Sequence, residues 1–237
     1  MRETLSIIIP CYNEGRTISQ LLRRVLRVQF AQYEKEIIVV DDGSRDDTTA
    51  QVQALMAAYP QLRLLQQPHN MGKGAAVRRG FAAATGALVV VQDADLEYDP
   101  EDLQQLLALF RLPQVMAVFG SRRLLPGHLG SGALYYWGAQ AINLTTNLLY
   151  GVWLSDQFTC YKMLRREVLE HLPLRSNGFA IDAELVAKLL RRSIRIFEVP
   201  ITYQPRTRQQ GKKIRVQDGW HWLWQIIKYR LYPLRGC

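Results

Sequence analysis

Short apolar runs alternate with amphipathic segments through the first half of the chain, and this alternation limits the possible folds more than any other feature. Five runs have the length and apolar character of buried strands: Leu5–Ile9, Glu36–Val40, Leu62–Leu65, Ala87–Val91 and Val115–Phe119. The segments between them are predicted to be helices: Thr17–Val28, Asp46–Met56, Gly74–Ala84 and Pro100–Phe110. Strands and helices that alternate at this pace form βαβ units. We therefore predict an α/β fold with a Rossmann-like, mostly parallel sheet and helices on both faces.

Polar residues cluster directly after four of these strands. The clusters are Pro10–Glu14, Asp41–Ser44, Asp93–Glu97 and Gly120–Arg123. The carboxyl ends of parallel strands meet at one edge of the sheet, and ligands of such sheets bind there. The sequence therefore predicts a ligand site at this edge.

Two acids in the third cluster suggest a metal site. Asp93 and Asp95 are two residues apart just past a buried strand, and Glu97 follows them. Magnesium prefers one or two carboxylates together with substrate phosphates and water. The alternative is a solvated turn with acids that cap a helix.

The first two clusters allow a nucleotide site or ordinary turns. Tyr12 can stack on a base, and Glu14 or Asp42 can accept hydrogen bonds from a base or ribose. The alternatives are a surface loop after the first strand and a turn into a helix cap after the second. A cap made by Ser44 or Asp46 would explain Asp46 and Asp47 but leaves the acids at positions 41 and 42 unexplained.

The net charge of the 237-residue chain is +9, which favours anionic partners such as nucleotides, lipid phosphates, membrane surfaces or nucleic acid. Three cysteines far apart argue against a disulfide framework and favour a reducing compartment. No secretory leader is recognised at the start. We therefore expect a cytoplasmic location.

The second half of the chain has a different character. Leu124–Ser155 contains no charged residue, but amides and hydroxyls interrupt its centre, which favours a core or interfacial helix over a membrane span. Further on, the pattern predicts a helix over Asp182–Arg192, a strand over Arg195–Tyr203 and an aromatic-rich helix over Gly219–Leu231.

Several motifs in order resemble a known family. PCYNE follows the first strand, VVDDGSRDDT covers the end of the second and QDADLE follows the fourth. Together they resemble the inverting family 2 glycosyltransferases with the GT-A fold. The later blocks SDQFTCYKMLRREVLEHLP, GFAIDAEL and EVPITYQPRTRQQGKK resemble the branch that contains dolichyl- and polyprenyl-phosphate mannose synthases. The resemblance runs from about Leu5 to Arg215. It implies a catalytic domain over residues 1–215 and a C-terminal aromatic amphipathic helix within 216–237.

The resemblance also implies roles for individual residues. The implied nucleotide contacts are Pro10, Tyr12, Glu14, Val40 and Asp42. Asp93, Ala94 and Asp95 would hold the metal, Mg²⁺ or Mn²⁺, and the diphosphate, and Glu97 is a third metal ligand where relatives often have glutamine. Arg122 would lie on the phosphates, so Asp95 and Arg122 are the implied catalytic residues. Arg206 and Lys212 would close over the donor. Gln140 stands near where mannose synthases commonly have an arginine that faces the acceptor.

The implied reaction is inverting transfer of one sugar from a nucleotide sugar to a polyprenyl or dolichyl phosphate. GDP-mannose is favoured over a UDP-sugar, with peripheral contact at the cytoplasmic face of a membrane and no nucleic acid partner. A hydroxyl acceptor is the alternative, with Asp182 or Glu184 as the base. A nucleotidyltransferase also remains open, as does a non-catalytic basic module that binds nucleic acid. The last of these leaves the acids at the sheet edge unexplained.

Overall fold

The computed structural model describes residues 2–125, 133–206 and 216–232. Seven strands lie in these residues: β1 (Glu3–Cys11), β2 (Tyr33–Asp41), β3 (Leu62–Gln66), β4 (Leu88–Val91), β5 (Ala117–Ser121), β6 (Lys162–Arg165) and β7 (Ile196–Pro200). The helices in the same residues are α1 (Ile18–Arg27), α2 (Thr48–Met56), α3 (Lys73–Ala83), α4 (Leu103–Leu109), α5 (Ala133–Tyr150), α6 (Arg166–Glu170), α7 (Ile181–Arg191) and α8 (Val216–Leu231). A 3₁₀ turn, Pro100–Asp102, precedes α4.

The strands form one sheet in the order β3-β2-β1-β4-β6-β5-β7. β1 pairs in parallel with β2 and β4, and β5 pairs in parallel with β7. β6 is antiparallel to both β4 and β5. The prediction of an α/β fold with a mostly parallel sheet is confirmed, and β6 is the one described strand that the sequence pattern did not reveal.

The centre of the sheet is buried because helices cover both of its faces. Leu5–Cys11 in β1 is entirely buried between its two partner strands. The apolar face of α1 packs on one side, as the spacing predicted: its buried residues are Ile18, Leu21, Leu22, Val25 and Leu26. On the other side α3 approaches β1 closely at Gly80, where a Cβ would lie 2.2 Å from Cγ2 of Ile8.

A second core lies between β5 and the helices of the later half. It includes Phe119, residues of α7, and Trp222 and Ile226 of α8. The uncharged stretch forms α5, which lies beside α8: the Tyr150 hydroxyl donates to the Ile226 carbonyl at 2.8 Å. The helix predicted within 216–237 is thus packed on the body of the protein. Its division from residues 1–215 stays a prediction.

The described helices include none with the length and apolar character that crossing a bilayer requires.

This topology brings many chain segments to one edge. The parallel strands β1, β2, β4, β5 and β7 all end there. The antiparallel strand β6 begins there, at Lys162. Residues that follow β1 or β4 and residues that precede β6 are therefore neighbours in space.

Candidate active site

A cavity of about 640 Å³ opens at this edge, within the size range of small-molecule sites. Ten of the twelve residues to which the resemblance gives nucleotide, metal or phosphate contacts line it: Pro10, Tyr12, Glu14, Asp42, Asp93, Ala94, Asp95, Glu97, Arg122 and Arg206. Val40 is different, because its side chain is fully buried in the core between the sheet and α3. Lys212 lies outside the described residues. The prediction that residues after separate strands converge is confirmed by this arrangement, while their individual roles stay predictions.

The loops after β1 and β2 are fastened to each other. The Asn13 amide donates to Oγ of Ser44 at 2.8 Å, and the Arg45 amide donates to Oδ1 of Asn13 at 2.8 Å. The Glu14 amide donates to the Thr48 hydroxyl at 2.9 Å. Asn13 has a φ of 52°, a left-handed conformation that asparagine tolerates. These contacts fix the loop that carries Tyr12 and Glu14 at the cavity.

The two acids at the end of β2 have different surroundings. Asp41 accepts from the Ser44 amide and the Thr49 hydroxyl, so it shapes the turn. Asp42 lines the cavity. It also holds the loop that follows β3, because its carboxylate accepts from the amides of Met71 and Gly72 at 2.7 and 2.8 Å. The predicted cap also exists: Asp46 accepts from the Thr48 amide.

Arg206 lies among three carboxylates. One of its terminal nitrogens is 2.6 Å from Oδ2 of Asp95, and the other is 3.2 Å from Oε2 of Glu14. Its Nε is 3.6 Å from Oε1 of Glu97. The guanidinium therefore joins the loop after β1 to the loop after β4.

Glu97 holds the segment that leads to Arg206. Its Oε2 accepts from the Tyr203 hydroxyl at 2.7 Å, and its Oε1 accepts from the Arg206 amide at 2.9 Å. Both carboxylate oxygens thus have donors from this segment. Glu97, at which the chain departs from the family pattern, therefore fastens the segment from Tyr203 to Arg206 to the loop after β4.

A second chain of charges borders the cavity on its other side. Nζ of Lys73, at the start of α3, is 2.9 Å from Asp93 and 3.9 Å from Asp182. Asp182 also pairs with the buried Lys162 at 2.9 Å. Burial alone would raise the pKa of Asp93, but the charge of Lys73 holds it below its usual value.

Arg122 forms an ion pair with a buried acid, Asp156. Its Nε and one terminal nitrogen lie 2.7 and 2.9 Å from the two oxygens of Asp156, which is fully buried. Its guanidinium also stacks over the ring of Tyr203 at 4.8 Å. Burial opposes the charge on Arg122, but the nearby hydroxyl of Tyr98 and the carboxylate of Asp156 raise its pKa overall. Arg122 is therefore a fixed positive charge at the cavity.

Of the two acids considered as a general base, only one is suitably placed. Asp182 lines the cavity. Glu184 is buried beneath α8, where it accepts from Lys188, from the amides of Arg175 and Ser176, and from the Tyr229 hydroxyl. A base at Glu184 is therefore excluded by its position.

The acids after β4 are crowded in a way that suits a divalent cation. Burial, together with the negative charges of Asp93 and Glu97, raises the pKa of Asp95 to about 7. The described residues contain no preformed cluster of three or more metal-binding side chains. Asp93 and Asp95 fit a site in which two carboxylates supply the protein ligands and phosphates supply more. The oxygens of Glu97 are directed to Tyr203 and Arg206 instead.

One wall of the cavity is apolar. It comes from α5 and α8 and consists of Gly138, Ala139, Ala141, Ile142, Gly219, Trp220, Trp222 and Leu223. Gln140 accepts a hydrogen bond from Arg123 and is not among the residues that line the cavity. The cavity thus combines charged residues at the ends of the strands with an apolar wall from α5 and α8.

Sequence reasoning missed Asp156 and Lys162. The signal for Asp156 was its position as the first charged residue after the long neutral stretch. Lys162 lies in an unrecognised strand, and its one signal was its place in the block SDQFTCYKMLRREVLEHLP, which resembles the family.

Comparison with known proteins supports the fold and the family. Residues 6–173 match the family model described as glycosyl transferase family 2. A dolichol-phosphate mannosyltransferase from Pyrococcus furiosus is 32% identical over 88% of this chain, and a polyprenol monophosphomannose synthase from Mycolicibacterium smegmatis is 33% identical over 88%. An undecaprenyl-phosphate 4-deoxy-4-formamido-L-arabinose transferase from Pseudomonas savastanoi is 32% identical over 74%. The chain spans 58%, 82% and 54% of the lengths of these three relatives.

Solved structures are similar in fold. The glucosyl-3-phosphoglycerate synthase of Mycobacterium tuberculosis, crystallised with UDP, has a TM-score of 0.75 and 20% identity over 99% of this chain and 82% of its own. The same enzyme with Mn²⁺, UDP-glucose and phosphoglyceric acid has a TM-score of 0.74 and 21% identity, with the same coverage.

Proposed function

Because this chain belongs to glycosyl transferase family 2, we propose that it transfers a single sugar, with inversion, from a nucleotide sugar to a polyprenyl phosphate. The names of the three curated relatives support this proposal, since each acts on a dolichol, polyprenol or undecaprenyl substrate. The observation that carries it is the cavity itself, in which charges suited to a diphosphate meet an apolar wall suited to a lipid.

We favour GDP-mannose as the donor. Two of the relatives are named for mannose transfer. Tyr12 would stack on the base, and Glu14 and Asp42 would offer acceptors to base and ribose; that all three line the cavity supports these roles. These groups suit uridine as well as guanosine, so UDP-sugars belong in the same test.

Asp93 and Asp95 would hold a divalent cation, Mg²⁺ or Mn²⁺. When bound, such an ion supplies Lewis-acid stabilisation of the diphosphate that leaves the sugar. The chain's own cations act on the same charge: Arg122 is held in place by Asp156, and Lys73 lies beside Asp93. Fixed charges in a cavity that excludes water stabilise developing negative charge most effectively.

The acceptor needs no general base in this reaction. A phosphate monoester is already ionised near neutral pH, so its oxygen can attack the sugar directly. Consistent with this chemistry, none of the described residues that line the cavity is a histidine. The wall made by α5 and α8 offers apolar surface to the first isoprene units.

A hydroxyl acceptor is the second candidate. Asp182 favours it, because its carboxylate lines the cavity and could take a proton from an alcohol. Its pairing with Lys162 and Lys73 weakens this candidate, since each of its two carboxylate oxygens already faces a cation rather than an alcohol.

We also propose that α5 and α8 contact a membrane, at its cytoplasmic face. Eight of the eleven large apolar side chains exposed among the described residues lie on these helices or just after them: Trp137, Leu144, Leu148, Trp153, Trp220, Trp224, Leu231 and Tyr232. Tryptophan and tyrosine favour the membrane interface. A lipid acceptor would then reach the cavity along its apolar wall.

A transfer assay tests the proposal. Radiolabelled GDP-mannose, UDP-glucose and UDP-GlcNAc are each incubated with polyprenyl phosphate, with and without Mn²⁺, and lipid products are extracted. We expect label in the lipid phase from one donor only, dependent on Mn²⁺ and lost in Asp95→Ala. Glu170→Ala, which alters a surface acid, serves as the control and should retain activity. Transfer to a soluble alcohol but not to polyprenyl phosphate would support the second candidate instead.

A further inference from the structure

Arg206 is the cation that lies among the three carboxylates of Glu14, Asp95 and Glu97. The three carboxylates around it come from the loops after β1 and β4, and its side chain is only 17% exposed. Three negative charges this close would repel one another strongly in a partly buried site without a cation among them. In this structure the guanidinium supplies that charge.

The partners of the three acids differ. Glu97 also accepts from the Tyr203 hydroxyl and the Arg206 amide, and Glu14 also accepts from the Thr17 hydroxyl at 3.0 Å. Asp95 accepts from the Glu97 amide at 3.1 Å, and its shortest contact is the 2.6 Å pair with Arg206. Among the three, Asp95 therefore depends most on the guanidinium.

We propose that Arg206 is an internal counter-ion that competes with the divalent cation for Asp95. This inference rests on the proposed metal site at Asp93 and Asp95. A metal ion and a guanidinium cannot both approach the same carboxylate oxygen closely, because their charges repel. Binding of the metal therefore releases Arg206 from Asp95, while Glu14 and Glu97 keep the guanidinium at the cavity, where it can also pair with the anionic diphosphate.

Lys73 is a second cation beside the proposed metal site. Its ammonium lies between Asp93 at 2.9 Å and Asp182 at 3.9 Å. When a metal binds Asp93, Lys73 keeps Asp182 as a partner, just as Arg206 keeps Glu14 and Glu97 when it leaves Asp95. The proposed exchange concerns the shorter contact, the 2.6 Å pair of Arg206 with Asp95.

The exchange couples metal binding to nucleotide binding. Metal alone must displace an existing ion pair, so it binds weakly. Metal and diphosphate together give the displaced guanidinium a new anionic partner, so each improves the binding of the other. A purely structural role for Arg206 would have the opposite result, because its removal would loosen the loops and weaken metal binding.

Mn²⁺ binding to the whole chain, followed by the electron paramagnetic resonance of free Mn²⁺, separates these alternatives. Without nucleotide, we expect Arg206→Gln to bind Mn²⁺ about five- to tenfold more tightly than the wild type, since an ion pair no longer has to be broken. Addition of GDP or UDP should tighten Mn²⁺ binding much more in the wild type than in this variant. Arg123→Gln, which removes a different arginine, one that donates to Gln140, should behave as the wild type.

Equal or weaker Mn²⁺ binding by Arg206→Gln would overturn the inference and leave the metal site standing. No Mn²⁺ binding by the wild type, with or without nucleotide, would overturn both. A second measurement does not depend on how this variant folds. In the wild type, Mg²⁺ should shift the ¹⁵N resonance of the Arg206 side chain, assigned by its loss in Arg206→Lys. Mg²⁺ that binds without moving this resonance would contradict the exchange.

Discussion

Asp156 lies fully buried beneath Arg122 and illustrates how single residues build this site. A buried charge is costly unless it is paired and hydrogen-bonded. Asp156 meets this requirement, because it receives two bonds from the Arg122 guanidinium and one from the Arg122 amide. In return it fixes Arg122 at the cavity.

Asp156→Asn should destabilise the protein by about 3 kcal/mol, because it leaves the Arg122 guanidinium without its counter-charge. Urea unfolding of variant and wild type measures the difference. Asp99→Asn is the matched control, since Asp99 pairs with Arg24 at the surface and such pairs are worth about 1 kcal/mol or less. Equal losses in the two variants would mean that burial of the Asp156 pair is unimportant.

The residues of the site were predictable only where a local pattern marks them. Asp93, Asp95 and Arg122 follow strands, and the topology of parallel sheets brings strand ends together. Asp156 and Lys162 acquire their roles from partners 34 and 20 residues away, Arg122 and Asp182. Such pairings depend on the assembled fold, so the local sequence does not show which residues become partners.

At the scale of elements, Glu184 connects two helices and a loop. It lies on α7, accepts from the Tyr229 hydroxyl of α8, and accepts from the amides of Arg175 and Ser176. Burial opposes its charge, but hydrogen bonds from Lys188 and from Ser176 and Arg175 lower its pKa to about 2. Because α8 forms part of the cavity wall, this acid helps to hold that wall in place.

The depressed pKa of Glu184 predicts acid sensitivity. Its folded pKa lies below the unfolded value near 4.5, so its carboxylate stabilises the fold fully above that value and loses the effect as the pH falls toward 2. Between about pH 7 and pH 3 the wild type should lose about 1–2 kcal/mol more of its free energy of unfolding than Glu184→Gln. Urea unfolding across this range measures the difference.

Glu170→Gln, which alters an acid in a surface pair, is the control and should follow the wild type. Parallel pH curves for the wild type and Glu184→Gln would refute the assignment of the acid sensitivity to Glu184.

Two glycines within helices should respond oppositely to alanine. Gly80 in α3 touches β1, and its Cβ would clash with Ile8, so Gly80→Ala should cost about 1–3 kcal/mol. Among the described residues, nothing lies within 4 Å of a Cβ at Gly138 in α5, so Gly138→Ala should stabilise by about 0.5–1 kcal/mol through helix propensity. Thermal unfolding of both variants decides. Destabilisation by Gly138→Ala would contradict the exposure of that face of α5.

The elements were largely predictable because their periodicity is strong. The apolar face of α1 and the buried run of β1 are confirmed residue by residue, and the run of β4 is confirmed over Leu88–Val91, whereas Ala87 is exposed and precedes the strand. β6 was missed because its four residues include a lysine and an arginine. Their burial comes from pairing with β4 and β5, which local pattern does not report.

At the scale of the whole molecule, apolar exposure is concentrated on one pair of helices. Along α5 the exposed positions Trp137, Ala141, Leu144 and Leu148 follow helical spacing and form one face. Trp220 and Trp224 do the same on α8, and Trp153, which follows α5 in the chain, is 86% exposed. A patch of this kind on a chain of charge +9 suits an anionic bilayer surface.

Liposome flotation tests this contact. The wild type should float with vesicles that contain anionic lipid at low salt, and Trp153→Gln combined with Trp224→Gln should reduce the bound fraction several-fold. Met71→Gln combined with Leu112→Gln removes exposed apolar side chains elsewhere and is the control. No binding by the wild type at low salt would remove the membrane proposal.

The proposed sugar transfer depends most on the acids after β4 and on the cation that they would share with a diphosphate. Isothermal titration calorimetry of the chain with GDP and with UDP, each with and without Mn²⁺, tests this directly. We predict that one nucleotide binds at least about tenfold more tightly with Mn²⁺ than without, and that Asp95→Asn removes this difference. Nucleotide binding that is indifferent to Mn²⁺, or no binding of either nucleotide under any condition, would contradict the account.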